Sequence, residues 1–154
     1  MVWSNGSWVK NLKEIYILSE AKIDPEAGSY INVASAPLSE GKIISTAPDA
    51  INANNGYFSN KINLDGYNTI KMHINLQQVY AANYTFTFGA HSDVITVGSY
   101  ASNSNKFIAK TTLNDTGEYW AYVDISNLTG YYYIGFTSVA KFEIDEIILT
   151  EELS

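Results

Sequence analysis

The 154-residue chain contains no cysteine, so it has no disulfide framework and no thiol nucleophile. Secreted eukaryotic domains of this size often carry disulfides, and their absence favours a bacterial, cytosolic or viral protein. The chain also lacks a Gly-x-Ser-x-Gly motif, and its only histidines, His73 and His91, are far apart. Nucleophilic catalysis and a zinc site are therefore not indicated.

Charge is scarce as well: charged residues make up 16% of the chain, the net charge is -7, and lysine and arginine form no cluster. Phosphate-rich partners need concentrated positive charge, so nucleic acids and anionic membranes are poor partners. No apolar run is long enough to span a bilayer, and residues 1–10 lack the apolar region of a signal peptide. We expect a soluble chain without membrane insertion, exported by another route or as part of a longer polypeptide.

Aromatic residues, in contrast, reach 14%, with 12 Tyr and 3 Trp, and they lie in short segments of alternating polarity. No segment keeps a helical period. The alternation predicts about ten strands, at residues 12–18, 30–34, 42–46, 57–64, 69–77, 83–88, 93–98, 106–113, 117–125, 131–137 and 142–149. Residues 47–56 and 99–105 are predicted to be polar loops. This pattern is typical of an all-β fold, a β-sandwich of the jelly-roll kind with little or no helix.

The N-terminus predicts a hairpin of its own. Asn5-Gly6 favours a type I′ turn, which places Trp3 opposite Trp8. We expect residues 1–18 to form this hairpin and a lead-in strand, and residues 19–154 to form the jelly roll, as one domain overall. Near the other end, the apolar pattern changes phase at Asp145-Glu146, which predicts a β-bulge there.

The last third of the chain has aromatics on both faces of adjacent predicted strands. Trp120 and Tyr122 alternate with one apolar set, and Tyr131 and Tyr133 alternate with another. A core needs only one face of each strand, so the other rings are either cover for a second sheet or platforms for a ligand. Sugar rings stack their C–H faces on such aromatics, while their hydroxyls bind amides and carboxylates. The candidate carbohydrate-binding residues are Trp120, Tyr122, Tyr131, Tyr133, His73, Asn75 and Tyr100.

Catalysis on a sugar would need two carboxylates facing each other across a cleft. No spacing selects such a pair among Asp93, Asp115, Glu118, Asp124, Glu143, Asp145 and Glu146. The chain is therefore expected not to be an enzyme.

The run from Asn63 to Leu149 (NLDGYNTIKMHINL, YYYIGF, FEIDEIIL) resembles galactose-binding-like jelly rolls that occur as carbohydrate-binding modules. The resemblance implies a similar fold and a non-catalytic, lectin-like function. In many such modules an acidic residue of the last motif holds a structural calcium, which implies Asp145 or Glu146 as its ligand here. The early-loop calcium ligands of the family are not recognisable in this sequence.

The N-terminal segment (WSNGSWVK, KEIYI) resembles segments of minor tail proteins of phages that infect Gram-positive bacteria. Together the two resemblances imply a host-recognition module of a siphophage baseplate, either in a distal tail protein or in an accessory baseplate protein. Its partners would be a host cell-wall or surface polysaccharide and other phage tail proteins, and it would be located on the virion, exposed to the host. The alternative is a structural assembly module of a tail or surface appendage, whose outer aromatics contact a partner instead of a glycan.

Overall fold

The computed structural model describes residues 2–4, 6–9, 12–46, 53–80 and 85–153. Over these ranges the chain forms a two-stranded hairpin followed by a sandwich of two antiparallel six-stranded sheets. The strands are β1 (Val2–Ser4), β2 (Ser7–Val9), β3 (Glu14–Leu18), β4 (Tyr30–Ala34), β5 (Leu38–Ser39), β6 (Lys42–Ile44), β7 (Asn54–Phe58), β8 (Ile62–Asn63), β9 (Thr69–Val79), β10 (Phe86–His91), β11 (Phe107–Leu113), β12 (Gly117–Asp124), β13 (Tyr131–Ser138) and β14 (Ala140–Thr150). A 3₁₀ turn at Pro25–Ala27 and one short helix, α1 (Tyr100–Ser104), are the helical elements of the described ranges. The predicted all-β sandwich is confirmed.

Each sheet is named here after one of its long strands, β9 or β13. The β9 sheet has the order β12-β9-β14-β6-β5, and β3 also pairs with β14. The β13 sheet has the order β11-β10-β13-β7-β4, and β8 also pairs with β13. The chain thus crosses from one sheet to the other between β12 and β13 and returns with β14. The two aromatic strands that follow each other in sequence therefore do not lie side by side, and their outer faces point in opposite directions.

The core lies between the sheets and is centred on three phenylalanines. The ring of Phe86 in the β13 sheet lies 4.9 Å from that of Phe142 in the β9 sheet and 5.5 Å from that of Phe136. All three side chains are fully buried. Burying a side chain of this size stabilises a fold by about 1.5–3 kcal/mol, so this cluster is a main contribution to holding the two sheets together.

Strand β7 replaces part of a predicted loop. Residues 47–52 of that loop lie outside the described ranges, but Asn54 to Gly56 pair in the β13 sheet. Their buried side chains make hydrogen bonds there: Asn54 Nδ2 donates to the Ala140 carbonyl at 3.0 Å, and the Thr137 hydroxyl donates to Asn55 Oδ1. Tertiary contacts of this kind override the low strand propensity of Asn and Gly.

The predicted strand at 93–98 and the predicted loop at 99–105 are both wrong. Residues 93–98 pair with no strand in the described chain, and 100–104 form α1. The backbone of Thr96 bonds to the side chain of Asn103 instead of to a neighbouring strand. Asn103 Oδ1 accepts from Thr96 N at 3.2 Å, and Asn103 Nδ2 donates to the Thr96 carbonyl at 2.8 Å. Ser99 caps the helix by accepting from Ser102 N at 3.1 Å.

The N-terminal hairpin has the predicted register, with Trp3 opposite Trp8, and Gly6 has the positive φ of 79° that its turn requires. Asn5 lies outside the described residues. The lead-in strand, β3, pairs with β14 and is part of the sandwich. Residues 83 and 84 of the strand predicted at 83–88 also lie outside the described ranges, and β10 begins at Phe86. Among the described helical segments, none has the length and hydrophobicity to cross a membrane.

Candidate functional site

One part of the outer face of the β9 sheet is formed by β9 and by its two neighbours, β12 and β14. Alternation along β9 sends Ile70, Met72, Ile74 and Leu76 into the core, where all four are buried. The same alternation places Lys71, His73 and Asn75 on the outer face, half-buried between the flanking strands β12 and β14. We call this surface, together with Trp120 and Tyr122 of β12, the Trp120 face.

Trp120 is the aromatic centre of this face. It lies directly opposite His73 in the sheet register, with the two ring centroids 5.1 Å apart. Lys71 Nζ lies 5.2 Å from the indole centroid and is itself held by Glu152 Oε2 at 3.2 Å. The indole remains 36% exposed. It is therefore a ring held in place from two sides and open to solvent, which lowers the entropy lost when a ligand stacks on it.

The predicted bulge is confirmed, and it bears on this face. Ile144 lies opposite Ile74 and Glu146 lies opposite His73, so Asp145 is an extra residue without a partner in β9. His73 Nδ1 donates to Asp145 Oδ1 at 2.6 Å. On the other side of the ring, His73 Nε2 lies 3.6 Å from Glu118 Oε1. The imidazole is thus fixed between two carboxylates, one of which the bulge supplies.

Beside the indole lies a polar cleft in the surface. Its walls are formed by Lys42, His73, Asn75, Glu118, Glu143 and Asp145. The register explains this grouping, because Asn75 lies between Glu118 on β12 and Glu143 on β14. Among the residues that the structure describes, the side chains of Lys42, Asn75 and Glu143 have no hydrogen-bond or ion-pair partner. The cleft therefore offers donors and acceptors that a bound molecule can use.

Four predicted binding residues are brought together on this face: His73, Asn75, Trp120 and Tyr122. Tyr122 is exposed and lies opposite Lys71, one row from Trp120. Sequence reasoning missed Lys42 as a site residue, because its place depends on the pairing of β6 with β14. These strands are about a hundred residues apart, and no local pattern in either one signals the pairing.

Tyr131 and Tyr133 lie on the other sheet, so they do not belong to the Trp120 face. Tyr133 packs into an aromatic cluster, with its ring 5.4 Å from that of Tyr57 and 5.5 Å from that of His91. Tyr131, at the start of β13, is 62% exposed. The surplus rings of the sequence thus divide into separate surfaces.

Tyr100 is placed differently from the prediction of an exposed loop aromatic. It lies in α1, is only 8% exposed, and its hydroxyl hydrogen-bonds to that of Thr87. Thr87 and Thr137, on the outer face of the β13 sheet, are both fully buried. This part of the β13 sheet is therefore covered by the chain itself, and the ring of Tyr100 is not available for stacking.

The described residues contain no group of three or more His, Asp or Glu side chains that could hold a metal ion, so they offer no ligand set for the predicted calcium. The carboxylate of Asp145 accepts from His73, and Glu146 has no further carboxylate beside it that would complete a site. A calcium site needs six to eight oxygen ligands. Calcium binding at Asp145 and Glu146 stays a prediction without support from the side-chain arrangement.

Comparison with known proteins identifies the fold. No protein-family model and no curated protein sequence matches the chain. Three solved structures are similar over nearly the whole chain. A point mutant of a family 29 carbohydrate-binding module has a TM-score of 0.53 and 10% identity, over 93% of this chain and 94% of that one. A second mutant of such a module, complexed with mannohexaose, has a TM-score of 0.50 and 9% identity, over 94% and 95%.

The third similar structure is the carbohydrate recognition domain of Emp47p. It has a TM-score of 0.53 and 10% identity, over 94% of this chain and 98% of that domain. Identities this low carry no residue-level correspondence. The similarity shows that the chain has the jelly-roll sandwich fold of these proteins.

Proposed function

We propose that this chain is a non-catalytic carbohydrate-binding module and that the Trp120 face holds the saccharide. One observation carries the proposal: a fixed and exposed indole contacts His73, which lines a polar cleft where the side chains of Lys42, Asn75 and Glu143 have no partner among the described residues. The fold supports it, because the similar structures include two modules named for carbohydrate binding, one of them complexed with mannohexaose, and a carbohydrate recognition domain.

The chemistry of the face suits a sugar. The apolar C–H face of a pyranose ring stacks on the indole of Trp120, and its edge hydroxyls reach the polar cleft. There Glu143 accepts hydrogen bonds, Lys42 donates them, and Asn75 does both. Covering the exposed part of the indole would contribute about 1–2 kcal/mol, or roughly tenfold in affinity.

The finer part of the proposal concerns the biological setting. We infer that the ligand is a cell-wall or surface polysaccharide of a bacterial host, and that the module belongs to a phage tail adhesion device on the virion. The N-terminal segment supports this inference, because its sequence resembles segments of phage minor tail proteins. Other tail proteins would then be its partners.

Binding of the chain to an array of bacterial wall polysaccharides and neutral glycans tests the proposal. We expect binding to at least one polysaccharide, and a loss of about tenfold in affinity for Trp120→Ala. Ile108→Ala is the matched control, because Ile108 is an exposed hydrophobic residue on the other sheet. Binding to purified host walls that disappears when the polysaccharide is removed would support the phage setting. No binding to any glycan would contradict the proposed function.

The second candidate function is an assembly module without glycan binding. Three exposed hydrophobic side chains favour it: Val94, Val97 and Ile108, in and after the irregular segment that follows β10. Burial of these side chains against a partner or a second copy would be favourable. Size-exclusion chromatography with light scattering distinguishes the two functions. A stable oligomer that dissociates in the Val97→Ser variant supports the assembly module. A monomer that binds glycan supports the carbohydrate-binding module.

A further inference from the structure

A second cleft lies beside Tyr131, far from Trp120 in the sheet order and lined by residues of both sheets. Tyr131 begins β13 and lies opposite Asn63 of β8. Its ring is 62% exposed, more than that of Trp120 at 36%. We call this cleft the Tyr131 cleft.

The floor of the Tyr131 cleft is apolar. Ile15 comes from β3 of the β9 sheet, Ile62 from β8, and Tyr67 from the segment before β9. Ile62 and Tyr67 are buried, and Lys13 Nζ lies 4.3 Å from the centroid of the Tyr67 ring. An exposed aromatic ring beside buried apolar side chains is suited to the C–H face of a sugar.

Polar groups with free bonding capacity surround this floor. Asp65 Oδ1 accepts from Gly130 N at 2.7 Å, and Asn63 Oδ1 accepts from Asp65 N at 3.0 Å, so both side chains are fixed. Within the described part of the chain, the second oxygen of Asp65, the amide nitrogen of Asn63 and the ammonium groups of Lys13 and Lys61 make no hydrogen bond or ion pair.

The charges of the cleft balance. Lys13 and Lys61 are opposed by Asp65 and Glu26, which line the same cleft. A balanced set of charges gives no preference for an anionic or a cationic ligand, and it supplies both donors and acceptors for hydroxyl groups.

We propose that the Tyr131 cleft is a second saccharide-binding site, which takes a neutral sugar unit, so that one chain binds a polysaccharide at two places. The choice of ligand class rests on the proposed function of the Trp120 face. The two clefts have no lining residue in common, and Tyr131 and Trp120 belong to different sheets. Two sites on one chain raise the affinity for a long polysaccharide above that for a short oligosaccharide, because the second contact is intramolecular.

Isothermal titration of the chain with mannohexaose, cellohexaose and chitohexaose tests the second site. For any hexaose that binds, we expect two molecules per wild-type chain. Trp120→Ala should weaken one binding event about tenfold and leave the other unchanged. Tyr131→Ala should weaken only the other event, and the double variant should weaken both. Asn63→Ala, which keeps the ring of Tyr131 and removes an amide, should weaken the second binding event alone. Ile108→Ala should keep both.

The outcomes separate the two proposals. If the wild-type chain binds one hexaose and Tyr131→Ala binds it with the same affinity, the second site is overturned and the proposed function stands. No heat of binding with any hexaose, together with no binding to polysaccharide, overturns both. Circular dichroism of each variant confirms that the fold is intact, as expected for a change at so exposed a ring.

Discussion

At the scale of single residues, His73 links the parts of the Trp120 face. Its ring contacts the indole of Trp120, one nitrogen donates to Asp145, and the other faces Glu118. The sequence around His73 shows only a single histidine on the polar side of a strand, and this does not predict its contacts. They arise because β12 and the bulge of β14 lie on either side of β9.

Removing this ring tests its role in positioning. A contact between aromatic rings is worth about 0.5–1.5 kcal/mol, so His73→Ala should weaken saccharide binding by roughly two- to tenfold. His73→Phe keeps a ring beside Trp120 and should recover part of the affinity. Titration calorimetry measures both changes, and an affinity of His73→Ala equal to that of the wild type would show that the indole does not need this support.

The other histidine, His91, is fully buried under the β13 sheet's outer aromatics. Burial lowers its pKa from 6.5 to about 4, against the opposing effect of the hydrogen bond to the Asp93 carbonyl. Nearby Lys106 and Lys61 lower it further, and the charge of Asp93 raises it. Nδ1 donates to that carbonyl at 2.7 Å, and Nε2 has no hydrogen-bond partner in the described residues. The folded chain therefore holds this imidazole neutral.

This burial makes stability depend on pH. The unfolded chain takes up a proton near pH 6.5 and the folded chain only near pH 4, so the stability is fully present above about pH 6.5 and falls as the pH drops toward 4. Between pH 7 and pH 5 we expect a loss of about 2 kcal/mol from this group. Urea unfolding at both pH values measures it. His91→Asn keeps a donor for Asp93 but does not titrate, and an unchanged pH dependence in that variant would contradict the assignment.

At the scale of elements, the bulge in β14 serves the site more than the fold. If Asp145 were deleted, Ile144 would still face Ile74 and Ile147 would still face Met72, with Glu146 between them opposite His73. The regular in-and-out alternation would be restored. The extra residue is therefore not needed for pairing, and its carboxylate is the group that fixes His73.

Deleting Asp145 should accordingly leave the fold intact and impair binding. We expect an unfolding midpoint equal to or above that of the wild type, and saccharide affinity reduced at least as much as in Asp145→Ala, which keeps the bulge. Chemical unfolding and calorimetry on both variants provide the comparison. A deletion variant that fails to fold would show that the bulge is a structural requirement of the strand.

Strand β7 depends on a glycine that the sequence pattern assigns to a loop. A Cβ on Gly56 would lie 2.0 Å from the hydroxyl oxygen of Tyr30 and 2.6 Å from its ring, and that hydroxyl donates to the Ala36 carbonyl at 2.7 Å. Gly56→Ala should therefore destabilise the fold by about 1–3 kcal/mol. Gly98→Ala, where the nearest atom is 3.4 Å away, is the control and should change stability by less than about 0.5 kcal/mol. Equal unfolding midpoints for the two variants would contradict this packing.

The elements that sequence reasoning predicted are those with a local signal. Strict alternation in β9 and β12 gave their extents and faces, and the change of phase in β14 gave the bulge. The elements it missed, β7 and α1, depend on side-chain contacts with residues distant in sequence or in the next turn. Local propensity does not contain such contacts.

At the scale of the whole molecule, the crossing of the chain between sheets determines which aromatics act together. The sequence places Trp120 and Tyr131 in adjacent segments, and the fold places them on different sheets. Trp120 and Tyr122 lie on an exposed face, whereas Tyr133 and Tyr100 help to cover the other sheet. The composition indicates more aromatic side chains than the core needs. The topology determines which of them lie on the proposed binding face, which line the second cleft and which cover the outer face of the β13 sheet.

If the exposed face of the β9 sheet binds saccharide, nuclear magnetic resonance should locate the ligand on that face. Backbone amide shifts of the ¹⁵N-labelled chain would be followed during titration with a polysaccharide fragment that the chain binds. The proposed site predicts large shifts at residues 71–75, 118–122 and 143–146 and at the indole N–H signal of Trp120. In Trp120→Ala the backbone shifts should need about tenfold more ligand. Saturable shifts elsewhere in the chain, with this face unchanged, would contradict the proposed site.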